Sequence, residues 1–148
     1  MRIVGDEILV TGPHVNKGYL DPAHDVSTKV VDEHGVIWHR TGDAGWIDGS
    51  GRLWLLGRID GHVGNLFPFS VEAAARLWPG VRQVALCADA VQRPVLVIAG
   101  DVNDLASLKS RGAKMGIERV IVVDKVPLDR RHGSKTDYTA LKKLITAE

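Results

Sequence analysis

The chain has 148 residues, of which 45% are hydrophobic and 25% are charged, and its formal net charge is +1. This length fits one domain or two small ones, and the apolar fraction is that of a globular protein that folds without disulfides or metals. No apolar run approaches the roughly 20 residues of a membrane helix, and the first residues lack the apolar core of a signal peptide. A single cysteine, Cys87, favours a reducing, cytoplasmic location.

The charges are distributed unevenly along the chain. Residues 1–57 carry five Lys/Arg against eight Asp/Glu, a net charge of −3, whereas residues 58–148 carry fourteen against ten, a net charge of +4. This change of sign favours two units in different surroundings, with chance clustering on solvated surfaces as the alternative. The basic residues of the second part are scattered and not interleaved with aromatic residues, so we expect no nucleic-acid partner.

The first 57 residues have the pattern of strands and tight turns. Residues 8–10 form a short apolar run that ends in the turn signal Thr11-Gly12-Pro13. Two further pairs of apolar runs flank the glycine-containing loops 32–35 and 48–51, which predicts two β-hairpins. No stretch of useful length has helical periodicity, so we predict a β-rich segment.

The remaining residues alternate between helical and strand patterns in the order α-β-β-α-β-loop-α. Capping residues and apolar faces predict helices after Ser70, Asn103 and Asp137. Short apolar runs predict strands over 83–88, 95–99 and 119–123. The predicted fold is therefore a β-rich N-terminal segment followed by a small α+β domain, which has a sheet of about three strands with flanking helices.

General catalytic motifs are absent from the sequence. It has no phosphate-binding glycine loop, no dinucleotide-binding Gly-x-Gly-x-x-Gly and no nucleophile elbow. The six histidines show no metal-ligand spacing, so we expect no metal site. Cys87 lies in an apolar strand pattern, which predicts an inert, buried thiol.

Three polar clusters remain as candidate functional sites. In the cluster 40–43, Asp43 follows a glycine, and a carboxylate on a turn can accept two hydroxyl hydrogen bonds; a purely structural turn is the alternative. In the cluster 57–61, Arg58 and Asp60 lie between glycines, which suits either a hinge or a plain linker. Lys135 ends a basic loop from which its side chain could reach outward, with a solvated charge run as the alternative.

In their order and spacing, these clusters and their neighbours resemble the acyl-adenylate-forming (AMP-binding) enzymes, the superfamily of acyl-CoA synthetases, peptide-synthetase adenylation domains and luciferases. The matching segments are similar to the family's "GEI…G…GY", "TGD-G-D" and "G-L–GR-D" segments and to its late lysine: residues 6–20, residues 38–48, residues 51–60 and Lys135. Glu72 also resembles the glutamate that opens the first helix of the family's mobile C-terminal domain. The resemblance covers only the C-terminal part of the family, without the large N-terminal portion.

The resemblance implies a role for each candidate residue. Asp43 would bind the ribose hydroxyls of ATP and of the acyl-adenylate, and Arg58 would assist at the ribose and phosphates. Asp60 would be the hinge about which the small domain rotates. Lys135 would reach the α-phosphate and the substrate carboxylate, where a cation offsets the repulsion between two anions. The implied organisation is a remnant of the large adenylation domain at 1–57, a hinge at 58–61 and a mobile α+β domain at 62–148.

Two departures from the family pattern bear on the second reaction step. Residues 61–72 lack the Lys-x-x-Gly element that shapes the pantetheine tunnel in members that form thioesters. Residues 131–135 are similar to the β-lactone synthetases of olefin biosynthesis, in which the hydroxyl of the activated β-hydroxy acid closes a ring. The resemblance therefore favours that branch over thioester formation.

The implied function is the C-terminal portion of an ATP-dependent acyl-activating ligase that is inactive without the missing N-terminal portion. ATP/AMP with Mg²⁺ would be the cofactors of the complete enzyme only. The expected partners are the N-terminal portion or a second copy, and an acyl carrier protein or CoA. The alternative is a stand-alone, non-catalytic module that binds a carrier protein or an intact synthetase. Either way, the first segment by itself should expose apolar side chains such as Trp38, Trp46 and Trp54.

Overall fold

The computed structural model describes residues 1–129 and 135–146. The chain separates into two compact units, Met1–Gly61 and His62–Glu148, here called unit 1 and unit 2. The predicted hinge segment, residues 58–61, is the last part of unit 1, and its assignment as a hinge stays a prediction.

Unit 1 is built on one five-stranded antiparallel sheet of order β1-β2-β4-β3, in which β5 also pairs with β4. Its elements are β1 (Arg2–Val4), β2 (Glu7–Val10), α1 (Ala23–Thr28), β3 (Lys29–Val31), β4 (Ile37–Ile47), β5 (Leu53–Arg58) and a 3-10 turn (Ile59–Gly61). The β-rich prediction and both hairpins are confirmed. The sequence pattern missed β1 and also α1, whose six residues include no buried side chain and so show no apolar periodicity.

The two hairpin loops of unit 1 share one hydrogen-bonding arrangement. In each loop, an aspartate at the first position accepts hydrogen bonds from the backbone amides two and four residues later. Each aspartate also accepts from the indole N–H six residues later: Trp38 donates to Asp32 at 2.8 Å, and Trp54 donates to Asp48 at 2.9 Å. A glycine with positive φ completes each loop. The carboxylates thereby hold the loops in shape where the strand ladder stops.

Unit 2 has a three-stranded sheet of order β6-β7-β8, antiparallel between β6 and β7 and parallel between β7 and β8. Its elements are α2 (Pro68–Ala75), β6 (Val81–Ala88), β7 (Pro94–Gly100), α3 (Leu105–Lys114), β8 (Arg119–Val123) and α4 (Tyr138–Thr146). The predicted α-β-β-α-β-loop-α order and the three-stranded sheet are confirmed.

Helices cover both faces of the unit 2 sheet. Successive side chains of a strand point to opposite faces, so β6 and β7 contribute to two separate apolar clusters. Leu86 and Leu96 pack on the face that α2 and α3 cover, whereas Val95 and Val97 pack on the face that α4 covers. All four side chains are fully buried. Burial on both faces explains why β7 has a continuous apolar sequence instead of an alternating one.

The start of α2 differs from the prediction. The helix begins at Pro68, and its N-cap is Phe67, which makes no capping hydrogen bond with its side chain. Proline suits the first helical turn because its φ is already helical and it has no amide hydrogen to satisfy. Ser70 is not the cap; its Oγ donates to the Phe67 carbonyl at 2.9 Å. Glu72 consequently lies beyond the first turn of α2.

Of the two other predicted caps, one is shifted and one is confirmed. The N-cap of α3 is Asp104 rather than Asn103, because Asp104 accepts the Ser107 amide hydrogen bond at 2.9 Å. Asp137 accepts from the Ala140 amide at 2.9 Å at the start of α4, as predicted.

Glu72, which is half-buried, and Cys87, which is buried, are ionisable side chains of unit 2. Glu72 accepts a hydrogen bond at 2.9 Å from the Leu86 amide of β6, an edge strand of the sheet. Burial raises the pKa of the Glu72 carboxyl, which the Leu86 hydrogen bond partly offsets. Cys87 is buried as predicted, and desolvation raises the pKa of its thiol to about 11, which keeps the thiol protonated at neutral pH.

Unit 1 has few buried apolar side chains by comparison. Within the described residues, both apolar core clusters consist entirely of unit 2 residues. Trp46 and Trp54 are each 49% exposed, as expected, and stack with their ring centroids 6.1 Å apart. Trp38 is half-buried. A sheet is normally stabilised by a second layer, so unit 1 retains apolar surface that its own described residues do not cover.

We predict that Asp48→Asn lowers the melting temperature of the chain by a few degrees at pH 7. Hydrogen bonds, the largest from Trp54, hold the pKa of Asp48 at about 2, below its ordinary value of 3.8. A carboxyl whose pKa is lowered in the folded state stabilises the fold above its unfolded pKa, and loses this contribution as the pH falls through its folded pKa. The deficit of the variant should therefore shrink as the pH falls from about 4 to about 2.

Thermal melting followed by tryptophan fluorescence measures this difference. Asp101→Asn is the matched control, because the Asp101 side chain is 83% exposed. Equal deficits in the two variants, or a deficit of Asp48→Asn that persists at low pH, would contradict the prediction.

Candidate functional site

The predicted site residue Asp43 lies at an irregularity in β4. Glu7 pairs with Ala44 and Leu9 pairs with Arg40, so β2 has one residue between these pairs and β4 has three. The two extra residues form a bulge, which interrupts the ladder and changes the direction of nearby side chains. The interpretation of Asp43 as a turn residue is therefore wrong, because Asp43 belongs to a bulged strand.

Side chains replace the ladder hydrogen bonds that the bulge removes. Thr41 Oγ1 donates to the Ile8 carbonyl at 2.8 Å and accepts from the Asp43 amide at 3.1 Å. The Gly42 amide donates to Glu7 Oε1 at 3.1 Å. Gly42 has a φ of 70°, in the left-handed region that favours glycine. The backbone that leads into Asp43 is thus held by the side chains of Glu7 and Thr41.

Glu7 anchors this bulge with a buried carboxylate. Arg40 donates to Glu7 Oε2 from Nε at 2.8 Å and from Nη2 at 2.7 Å. The hydrogen bond to Glu7 raises the pKa of the Arg40 guanidinium. Sequence reasoning missed the roles of Glu7 and Thr41. The available signal was a carboxylate at the start of an apolar strand, where an unpaired charge would be costly to bury.

Asp43 is paired with Arg58, its partner across β4 and β5. Arg58 Nη1 donates to Asp43 Oδ1 at 3.0 Å and to the Thr41 carbonyl at 3.0 Å. Asp60 Oδ1 lies 4.0 Å from Arg58 Nε, and the Asp60 side chain is 85% exposed. Unit 1 therefore brings together three of the four predicted site residues. The half-exposed Asp43 carboxylate can accept hydroxyl hydrogen bonds beside a guanidinium that can bind an anion.

The fourth predicted site residue, Lys135, belongs to unit 2 and is exposed. The Asp129 amide donates to the Lys135 carbonyl at 2.7 Å, and the Asp137 amide donates to the Pro127 carbonyl at 2.9 Å. These bonds form a short antiparallel ribbon immediately before α4, and the Lys135 carbonyl takes part in it. Residues 130–134, the rest of the basic loop, lie outside the described residues.

The described ranges, 1–129 and 135–146, contain no group of three or more His, Cys, Asp or Glu side chains placed to hold a metal ion. Over the same ranges, no helix combines the length and the apolar composition of a membrane-spanning segment.

No protein-family model matches this sequence. The chain is 30% identical over 164 residues to an olefin β-lactone synthetase of Stenotrophomonas maltophilia, a match that covers 96% of this chain and 30% of the relative. It is 34% identical over 92 residues to a 2-succinylbenzoate–CoA ligase of Listeria monocytogenes, a match that covers 58% of this chain and 19% of the relative. The chain therefore spans less than a third of the length of these curated relatives.

Solved structures are similar to this chain over most of its length. The chain is 28% identical to IdnL7, with a TM-score of 0.69 over 95% of this chain and 28% of that one. It is 25% identical to the O-succinylbenzoate coenzyme A synthetase of Bacillus subtilis in complex with ATP and a magnesium ion, with a TM-score of 0.60 over 82% of this chain and 27% of that one.

The fold, the motifs and these similarities assign the chain to the acyl-adenylate-forming (AMP-binding) enzymes, of which it matches a C-terminal portion. The resemblance seen in the sequence is confirmed. The matches to two olefin β-lactone synthetases cover 96% and 87% of this chain, and the match to the 2-succinylbenzoate–CoA ligase of Listeria monocytogenes covers 58%. The roles of Asp43, Arg58, Asp60 and Lys135 stay predictions.

We predict that Gly42→Ala disturbs the Asp43–Arg58 pair, whereas Gly35→Ala does not. Both glycines have left-handed φ values, 70° and 74°, so each alanine should cost ~1–2 kcal/mol of stability. A Cβ on Gly42 would lie 2.7 Å from Arg58 Nη2, whereas a Cβ on Gly35 would meet nothing within 4 Å. Urea unfolding measures the shared strain. NMR signals of the Arg58 guanidinium should move only in Gly42→Ala, and equal shifts in both variants would contradict the prediction.

Proposed function

We propose that this chain is the C-terminal portion of an ATP-dependent acyl-activating ligase, which converts a carboxylate and ATP to an acyl-adenylate and pyrophosphate. A carboxylate oxygen attacks the α-phosphorus, and the bond between that phosphorus and the pyrophosphate oxygen breaks. The observation that carries the proposal is the Asp43–Arg58 pair at the bulge of β4, because it presents a carboxylate and a cation together in a chain related to adenylate-forming enzymes.

In this proposal, Asp43 accepts hydrogen bonds from the two ribose hydroxyls. Its carboxylate is 39% exposed, and only part of its acceptor capacity is used by Arg58 Nη1 at 3.0 Å. Arg58 keeps further N–H donors for the ribose and phosphate oxygens, because a guanidinium has five. The hydrogen bond from Arg58 to the Thr41 carbonyl fixes the guanidinium beside Asp43 before any nucleotide arrives.

Lys135 acts on the reacting groups in this proposal. Attack on the α-phosphate brings two anions together, and an ammonium between them stabilises the transition state. The ribbon that contains Lys135 supports this role, because the Asp129 amide holds the Lys135 carbonyl at 2.7 Å while the side chain stays exposed. Asp60, exposed and close to Arg58, is proposed as the hinge that lets unit 2 rotate between the two half-reactions.

A large N-terminal portion is the proposed partner of this chain. The chain matches only 30% of the olefin β-lactone synthetase of Stenotrophomonas maltophilia, and unit 1 leaves Trp46 and Trp54 half-exposed. Both observations support a unit 1 that belongs to a larger domain. We therefore expect the 148-residue chain to be inactive by itself.

ATP with Mg²⁺ is the proposed cofactor pair of the complete enzyme. Asp43 and Arg58 suit the ribose and phosphate groups of ATP by charge and hydrogen-bonding capacity. Mg²⁺ is usually bound through one or two carboxylates together with substrate phosphates and water, so the nucleotide itself would supply part of its coordination. When bound, the nucleotide supplies the phosphorus that activates the carboxylate.

For the second reaction step, we propose β-lactone closure rather than thioester formation. The olefin β-lactone synthetase matches extend over 96% and 87% of this chain, whereas the CoA ligase of Listeria monocytogenes matches over 58%. The sequence also lacks Lys-x-x-Gly over residues 61–72. A complete enzyme that releases acyl-CoA from a β-hydroxy acid would contradict this step, and CoA or a carrier thiol would then be the second nucleophile.

We predict that the isolated chain gives no ATP–pyrophosphate exchange and that adding the large N-terminal portion restores it. In the restored enzyme, Lys135→Ala should lower the exchange rate about 10²–10³-fold, because it removes a cation from the site of developing charge. Lys125→Ala is the matched control, since Lys125 is also an exposed lysine of unit 2. Exchange by the isolated chain, or equal effects of the two substitutions, would contradict the proposal.

The alternative is a non-catalytic module that binds a carrier protein or an intact synthetase. The exposed apolar surface of unit 1 favours such binding. This alternative predicts that the chain binds its partner equally well with and without Lys135→Ala. It also predicts no ATP–pyrophosphate exchange, even after the large N-terminal portion is added. A binding module has no physical need for Asp43, Arg58 and Lys135 in one chain, so the enzyme portion is the better-supported function.

A further inference from the structure

Glu7 is a buried acid whose side chain accepts hydrogen bonds from Arg40 and Gly42 of β4, the strand that carries Asp43. Its side chain is 10% exposed, in a strand whose neighbours Ile8 and Leu9 are also buried. Burying a carboxylate is costly unless charge and hydrogen bonds compensate for the lost water. Arg40 supplies the charge through two N–H donors on Oε2, at 2.8 and 2.7 Å.

The other oxygen of Glu7 holds the bulge itself. Oε1 accepts the Gly42 amide at 3.1 Å, and Gly42 is the left-handed residue immediately before Asp43, with a φ of 70°. At the bulge, the Gly42 amide has no ladder carbonyl to donate to, and Glu7 Oε1 is its acceptor instead. The direction of the Asp43 side chain follows from the backbone conformation at Gly42, since the two residues share a peptide bond.

We propose that Glu7 is a positioning residue for the nucleotide: it fixes Asp43 through the Gly42 amide and through Arg40, without contacting the nucleotide. This inference rests on the proposed function, in which Asp43 binds the ribose. Arg58 depends on the same anchor, because it donates to the Thr41 carbonyl within the bulge as well as to Asp43. Glu7 therefore preorganises both charged groups of the site, and groups fixed before binding lose less on ordering.

Two substitutions separate this role from general stability. Glu7→Gln keeps the shape of the side chain and removes the charge that holds Arg40. Glu7→Asp keeps the charge, so the Arg40 ion pair can persist, but it withdraws the carboxylate by one methylene from the Gly42 amide. Glu33→Gln is the matched control, because the Glu33 side chain is 85% exposed. Glu7→Asp keeps the test valid even when Glu7→Gln prevents folding of unit 1.

The first measurement is amide hydrogen exchange by NMR on the 148-residue chain. Glu7→Asp should accelerate exchange at Gly42 and Asp43 about tenfold, which corresponds to the loss of one hydrogen bond of ordinary net strength. Amides of β7 in unit 2 should exchange as in the wild type, and Glu33→Gln should change neither set. Unchanged exchange at Gly42 in Glu7→Asp overturns the proposal.

The second measurement is the ATP dependence of adenylation in the chain supplemented with the large N-terminal portion. A positioning role predicts that Glu7→Asp raises the KM for ATP about tenfold while kcat stays within about threefold. A lower kcat at unchanged KM is the result of a merely structural role and overturns the proposal. Absence of adenylation in the wild-type mixture overturns the proposed function instead, and the exchange measurement on the chain alone still decides whether Glu7 holds the bulge.

Discussion

The buried contact of Glu7 with Arg40 and Gly42 is the constraint on which the site in unit 1 depends. A strand that carries two extra residues cannot keep its ladder, and the backbone groups that it frees need other partners. The carboxylate of Glu7 takes the Gly42 amide, and the hydroxyl of Thr41 takes the Asp43 amide. The bulge is thus a fixed conformation with satisfied polar groups. Asp43 meets Arg58 across the neighbouring β4–β5 ladder, which has its own irregularity between Ala44 and Gly45.

The same device recurs in hairpin loops of both units: an acidic side chain accepts backbone amides that the strand ladder does not satisfy. Asp32, Asp48 and Asp89 each accept the amides two and four residues later in their hairpin loops. Glu72 accepts an amide on the edge strand β6. The two units nevertheless differ in what stabilises them. Unit 2 has apolar clusters on both faces of its sheet, whereas the order in unit 1 rests largely on these polar contacts and leaves apolar side chains exposed.

A feature could be predicted from the sequence when the interactions that form it join residues close together in the chain. The hairpins and β7 were predictable, because alternation, loop glycines and continuous apolar runs are local signals. The cap positions were less predictable, because Ser70 and Asn103 are acceptable caps by residue type. The helices instead begin at Pro68, after Phe67, and after Asp104, which accepts the Ser107 amide. The bulge at Asp43 was not predictable, since it depends on the register between β2 and β4, which are more than 25 residues apart. Lys135 was found by motif, but its ribbon depends on pairing across residues outside any periodic segment.

Arg58 links the proposed nucleotide contact to the proposed hinge. It is the last residue of β5, it donates to Asp43 and to the Thr41 carbonyl, and its Nε lies 4.0 Å from Asp60 two residues later. A backbone rotation at Asp60 therefore changes the charge next to the guanidinium that holds Asp43. The cost of that change is small, because Asp60 is 85% exposed and water screens an exposed pair. The proposed hinge at this position would thus leave the Asp43–Arg58 pair intact, as the proposed two half-reactions on one nucleotide would require.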